Sequence, residues 1–122
     1  IDNSRSLIYV DNFCDAVCTC LKNDAARNQL FLVKDIDVST RQLVAELAST
    51  LALKPRFFPM PMYLLKWLTF FAGYSEKIDK LTSSLTVDDH LFRMRTGWEP
   101  VIDFKESLKK TTDWYKSNSL KQ

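Results

Sequence analysis

The sequence predicts an α/β fold, mostly helical with a few short strands. Two observations carry this. Capping-box patterns at Ser39 to Gln42 and at Asp103 to Glu106 each stand ahead of apolar residues at helical spacing. Short β-prone runs alternate with helical patterns along the chain, which is the order of an α/β arrangement with few strands of its own.

Taken in order, Ser6-Leu7-Ile8-Tyr9-Val10 reads as a strand, and Asp11 or Asn12 as the cap of a helix with apolar positions Phe13, Ala16, Val17, Cys20 and Leu21. After a polar connection over 23–28, Leu30-Phe31-Leu32-Val33 reads as a strand with apolar residues on both faces, as in the interior of a sheet. Asp35-Ile36-Asp37-Val38 is expected to be a turn. Ser39 and Gln42 then open the most secure helix, carrying Leu43, Val44, Leu47, Ala48 and Leu51 and ending at Lys54-Pro55.

Pro59 and Pro61 hold the chain extended around Met60, and an apolar helix is expected over 62–72. Ser84 to Val87 reads as a short strand. Asp88 or Asp89 caps a brief helix that Gly97 ends, and the last helix opens at Asp103 with Phe104, Leu108, Thr111 and Tyr115 on one stripe.

At 122 residues the chain is one domain's worth of polypeptide, and 46% hydrophobic with 26% charged residues matches a folded globular protein. The net charge of +2 arises from 17 basic and 15 acidic residues that are intermixed, so neither nucleic acid nor a membrane surface has an electrostatic footprint. The longest apolar run, from Met60 to Ala72, is shorter than the ~20 residues that span a bilayer. Cys14, Cys18 and Cys20 cluster on one predicted helix, which is not a disulfide framework and fits a reducing, cytoplasmic setting. The amino terminus has no signal-peptide pattern, and the missing initiator methionine suggests a fragment or processed chain.

Candidate chemistry is sparse. The one histidine, His90, stands beside Asp88 and Asp89 at a helix start and reads as an exposed residue rather than a catalytic base. The cysteines lack a fourth donor for zinc, so Cys20 reads as core filler and no metal site is expected. Asp88 and Asp89 read as caps rather than a carboxylate pair. The stretch from Phe57 to Met62, with Trp67, Phe70 and Phe71, reads as core rather than ligand pocket. Arg5, directly before an apolar strand, is placed either to give a bidentate bond to a phosphate or to lie solvated near a chain end.

Three segments together resemble the C-terminal half of extended short-chain dehydrogenase/reductases, the NAD-dependent sugar-nucleotide epimerases and dehydratases. The first is Asn3-Ser4-Arg5-Ser6-Leu7-Ile8-Tyr9-Val10-Asp11-Asn12. The second runs from Phe31-Leu32-Val33-Lys34-Asp35 through Ser39-Thr40-Arg41-Gln42-Leu43-Val44, with Met60-Pro61 after it. The third is Ser84-Leu85-Thr86-Val87-Asp88-Asp89 leading to Gly97-Trp98-Glu99-Pro100, whose Gly-Trp-x-Pro after an aspartate is the most specific of the set.

The resemblance implies that residues 1–122 are the substrate-binding region of a Rossmann-like enzyme whose N-terminal half binds NAD. It implies that Arg5 binds the diphosphate of a UDP-sugar, and that Lys80 stands where the family has a second phosphate-binding arginine, as a point charge without the arginine fork. His90-Leu91 and Thr96 depart from the family's Ser-Lys and Leu, so contacts of that lysine do not transfer. Only two glycines are present, and neither a Gly-x-x-Gly-x-x-Gly turn nor a Tyr-x-x-x-Lys pair occurs, so no catalytic and no cofactor-binding residue is expected in this chain. The implied partners are the N-terminal half and, in the intact protein, a second copy. The competing reading is a stand-alone α/β binding domain without catalytic activity.

Overall fold

The computed structural model describes residues 3–55, 57, 63 and 83–119. Most of the aromatic stretch, the helix expected over 62–72, and Lys77 and Lys80 lie outside the described residues. The described elements are β1 (Arg5–Leu7), α1 (Val10–Lys22), a 3-10 turn (Asp24–Ala26), β2 (Ile36–Val38), α2 (Thr40–Thr50), α3 (His90–Thr96) and α4 (Phe104–Ser119). The described chain is mostly helical, as predicted, and its strands form a two-stranded sheet.

β1 pairs antiparallel with β2, Arg5 opposite Val38, Ser6 opposite Asp37 and Leu7 opposite Ile36. Its other edge is also used. Ser6 N donates to Leu85 O at 2.9 Å and Leu85 N to Ser4 O at 2.8 Å, a parallel bridge that brings residue 85 beside Arg5. The run expected as a strand over Ser84 to Val87 thus contributes one bridging residue. Ile36 to Val38, expected as a turn, is a strand, because β1 offers a free edge that local propensity does not reveal.

Residues 30–33, expected as a strand, form no regular element and belong to no sheet among the described residues. Phe31 and Val33 turn inward to the core, while Leu30 and Leu32 are exposed, so the segment is apolar on both faces but covered on one.

The core cluster is Ala16, Phe92 and Trp98, with Ile8, Cys20, Phe31 and Val33 packed against it. Phe92 is fully buried, its ring centroid 5.3 Å from that of Phe31 and 5.4 Å from that of Trp98 in tilted geometry. Burying a phenylalanine contributes about 1.5–3 kcal/mol, and tilted aromatic pairs add about 0.5–1.5 kcal/mol each. Cys20 fills the role expected of it. Phe13, Val17 and Leu21, read as the apolar face of α1, are exposed beside the inward row Asn12, Ala16 and Cys20.

Helix ends follow local chemistry with small shifts. α1 begins at Val10 with Tyr9 as N-cap, ahead of the expected Asp11 or Asn12, because the Tyr9 amide is taken by Asp35 Oδ2 at 2.7 Å and the Asn12 side chain is used elsewhere. Ser39 caps α2 as predicted, its Oγ accepting from Gln42 N at 3.0 Å. α2 stops before Lys54-Pro55. Ala52 adopts a left-handed φ of 56°, Leu53 N donates to Ala48 O at 2.8 Å and Ala52 N to Ser49 O at 3.1 Å, a Schellman closure built on alanine instead of glycine. Gly97 ends α3 at φ 68°, the left-handed geometry glycine adopts without strain.

At α4, Asp103 Oδ1 accepts from Glu106 N at 2.8 Å, as the capping pattern predicts. Of the expected stripe Phe104, Leu108, Thr111 and Tyr115, Leu108 is buried and Phe104 half-buried while Tyr115 is 61% exposed, and the other buried residues of the helix are Ser107 and Thr112. A serine and a threonine on the inward face are tolerated because their hydroxyls bond back to Phe104 O and Lys109 O.

Candidate functional site

Arg5 opens β1 and is half-buried. The two edges of β1 fix it between Val38, which is buried, and Leu85, and its Nη2 lies 3.5 Å from Ser83 O. Alternation along a strand sends Ser6 to the face opposite Arg5, and cross-strand partners share a face, so Asp37 goes with Ser6. There Lys34 Nζ reaches Asp37 Oδ2 at 2.7 Å and Ser6 Oγ donates to Asp37 Oδ1. The Lys34 hydrogen bond, helped by that of Ser6, holds the Asp37 carboxyl below its ordinary value. The acidic group nearest in register is thus on the other face of β1 from Arg5 and satisfied by its own partners. Lys80, the second expected phosphate ligand, lies outside the described residues.

The site's frame is tied by a buried polar network. Asp35 Oδ2 accepts from Tyr9 N at 2.7 Å and from Asn12 Nδ2 at 2.9 Å, while Asn12 exchanges two hydrogen bonds with the Ile102 backbone. Asn3 does the same for α2, its Oδ1 accepting from Thr40 N at 3.0 Å and its Nδ2 donating to Thr40 Oγ1 at 2.8 Å. Trp98 Nε1 donates to Asp15 at 2.8 Å, and Arg93 spans Asp89, the Lys34 carbonyl and the Trp98 ring face. Asp89 is the N-cap of α3 by position, as one of the two expected caps, but its side chain pairs with Arg93, and Asp88, the other, accepts from the His90 amide at 2.9 Å. In the sequence Asn12 was legible only as a candidate helix cap.

An open cleft of about 410 Å³ lies elsewhere, lined by Asp35, Arg93, Glu99, Asp103, Phe104 and neighbours. Arg5 is not among its walls. Its three carboxylates against one committed arginine make it a poor anion site. His90 is exposed, as are Cys14 and Cys18, and no cluster of metal-ligating side chains occurs among the described residues. Phe57 is exposed and lies beneath the Arg41 guanidinium, 5.3 Å from ring centroid to carbon, so this member of the aromatic stretch is not core. No described helix is long and apolar enough to cross a membrane. Among the described residues no glycine-rich turn precedes a helix, and Gly97 closes a helix rather than opening one, so these residues do not form a dinucleotide-binding turn.

The three segments that resemble the epimerase class thus meet in one frame: β1 pairs with β2 of the second and bridges to Leu85 of the third, and Asp15 of α1 holds Trp98. Comparison with known proteins agrees, and fits a C-terminal fragment of an epimerase-like short-chain dehydrogenase/reductase. The chain is 37% identical over 110 residues to UDP-glucose 4-epimerase of Vibrio cholerae, a match covering 89% of this chain and 34% of that protein. The chain therefore spans about a third of its relative's length. No family model and no solved structure matches it.

Proposed function

We propose that residues 1–122 are the substrate-binding region of an NAD-dependent nucleotide-sugar epimerase or dehydratase with a Rossmann-like N-terminal half, acting on a UDP-sugar, most simply as a UDP-sugar 4-epimerase. The observation that carries this is the 37% identity to UDP-glucose 4-epimerase along 89% of the chain. In this reading Arg5 binds the sugar-nucleotide diphosphate, where its planar fork accepts two phosphate oxygens, and Lys80 adds a second positive charge. The contribution of the chain is positioning, with the dinucleotide and the proton-transfer residues belonging to polypeptide outside it. The chain alone is inactive. The intact enzyme works in the cytoplasm on precursors of cell-surface polysaccharide such as lipopolysaccharide, as a homodimer.

The test is interconversion of UDP-glucose and UDP-galactose by the full-length protein that carries this chain, followed by separation of the two nucleotides. Turnover that is lost with Arg5→Ala supports the reading. Full activity in the variant sinks the role of Arg5.

A further inference from the structure

Residues 83–87 run beside Ser4, Arg5 and Ser6, and burial is not what holds them there: 83–86 are exposed, Leu85 at 67%. Hydrogen bonds do this instead. Two are main-chain, Ser6 N to Leu85 O and Leu85 N to Ser4 O. Two more each need a serine hydroxyl, Ser84 Oγ accepting from Ser4 N at 3.0 Å and Ser6 Oγ accepting from Val87 N at 2.9 Å. The Ser6 hydroxyl is oriented for its part by donating its one proton to Asp37 Oδ1, which turns a lone pair to the Val87 amide.

The same segment steers Arg5. Arg5 stands opposite Leu85 in the bridge, and its Nη2 lies 3.5 Å from the carbonyl of Ser83, the residue just before the Ser84 latch. A contact of that length is weak, so it directs the guanidinium without committing it, and where it points follows from how firmly 84–87 is fastened. Ser6 lies on the face of β1 opposite Arg5 and acts without touching what Arg5 binds. We propose that Ser6 and Ser84 are positioning residues for the diphosphate of the nucleotide sugar: their hydroxyls latch 83–87 to β1 and, through the Ser83 carbonyl, hold the Arg5 fork in its binding direction. This rests on the reading of Arg5 as the diphosphate ligand.

Calorimetry of UDP with the full-length protein tests this as a double-mutant cycle. Ser6→Ala and Ser84→Ala each weaken UDP binding by about three- to tenfold, the scale of one lost hydrogen bond. Ser6→Thr keeps a hydroxyl that can donate and accept, and stays within about twofold of wild type. In an Arg5→Ala background neither serine substitution weakens UDP further, because the group they position is gone. A loss as large in that background as in the wild type means that the serines act on the fold and not through Arg5, and overturns the proposal. Wild-type affinity in both serine variants, with Arg5→Ala weakened, refutes the latch and leaves the phosphate reading of Arg5 standing. Wild-type affinity in Arg5→Ala itself refutes that reading and the latch with it.

Discussion

Asn12 and Ile102 close a ring of two hydrogen bonds across 90 residues of sequence, Asn12 Nδ2 donating to Ile102 O at 2.8 Å and Ile102 N donating to Asn12 Oδ1 at 3.0 Å. Asn12 is fully buried, and its second Nδ2 contact reaches Asp35. One side chain therefore holds the start of α1, the approach to β2 and the approach to α4 together. Asn12→Leu strands the Ile102 amide and carbonyl without partners, and each orphaned buried group costs about 1–3 kcal/mol. The expected loss is about 2–4 kcal/mol, read as a lower urea midpoint at unchanged slope. An unchanged midpoint contradicts the keystone role.

Trp98 offers a finer version of the same test. Trp98→Phe keeps most of the ring packing on Phe92 and removes the Nε1 bond to Asp15, so a loss of about 1–2 kcal/mol is expected. Combined with Asp15→Asn in a double-mutant cycle, the coupling should be nonzero. Strict additivity would show that the 2.8 Å contact contributes nothing to stability.

The acid limb of stability is set in part by Asp37. Its carboxyl is held below the ordinary 3.8 by the Lys34 hydrogen bond first and by Ser6 second. A lowered folded value means the stabilisation is fully present above the unfolded value, and is lost as pH falls from there through the folded value. Asp37→Asn should therefore flatten the decline of stability below about pH 4–5, with a small effect because the pair is exposed and screened by salt. Denaturant melts at stepped pH check this, and an identical acid decline in the variant contradicts it.

Much of this frame was legible in the sequence and some was not, for definable reasons. The caps at Ser39 and Asp103 and the stop at Gly97 rest on bonds within a few residues, so local pattern found them. The end of α2 was misplaced because Ala52 takes a left-handed φ that composition does not advertise. β2 was missed because a three-residue strand exists only where β1 presents an edge, and the apolar positions of α1 divide into buried Ala16, half-buried Cys20 and exposed Phe13, Val17 and Leu21 because helical spacing shows amphipathicity without showing what covers it. At the site, the place of Arg5 before a strand was readable. The Asn12, Asp35 and Ile102 network was not, since its partners lie far apart in sequence.

Arg5→Ala in the full-length protein should weaken UDP-sugar binding by about 1.5–3 kcal/mol, or roughly 10- to 150-fold, the scale of a lost charge-assisted bond to phosphate. Arg5→Lys should recover only part, because an ammonium cannot reproduce the fork. The melting temperature should hardly move, as β1 keeps its backbone pairing on both edges. Calorimetry with UDP-glucose reads the affinity; equal binding by wild type and Arg5→Ala would overturn the phosphate role of the guanidinium.

The most direct measurement of the central claim compares UDP-glucose to UDP-galactose conversion, and NAD binding by calorimetry, in the full-length protein and in the 122-residue chain. The full-length protein should convert the sugar nucleotide and bind NAD, while the chain alone does neither, having no glycine-rich turn to receive a pyrophosphate. Micromolar NAD binding by the isolated chain, or a full-length protein that neither binds UDP-sugars nor converts them, would contradict the account.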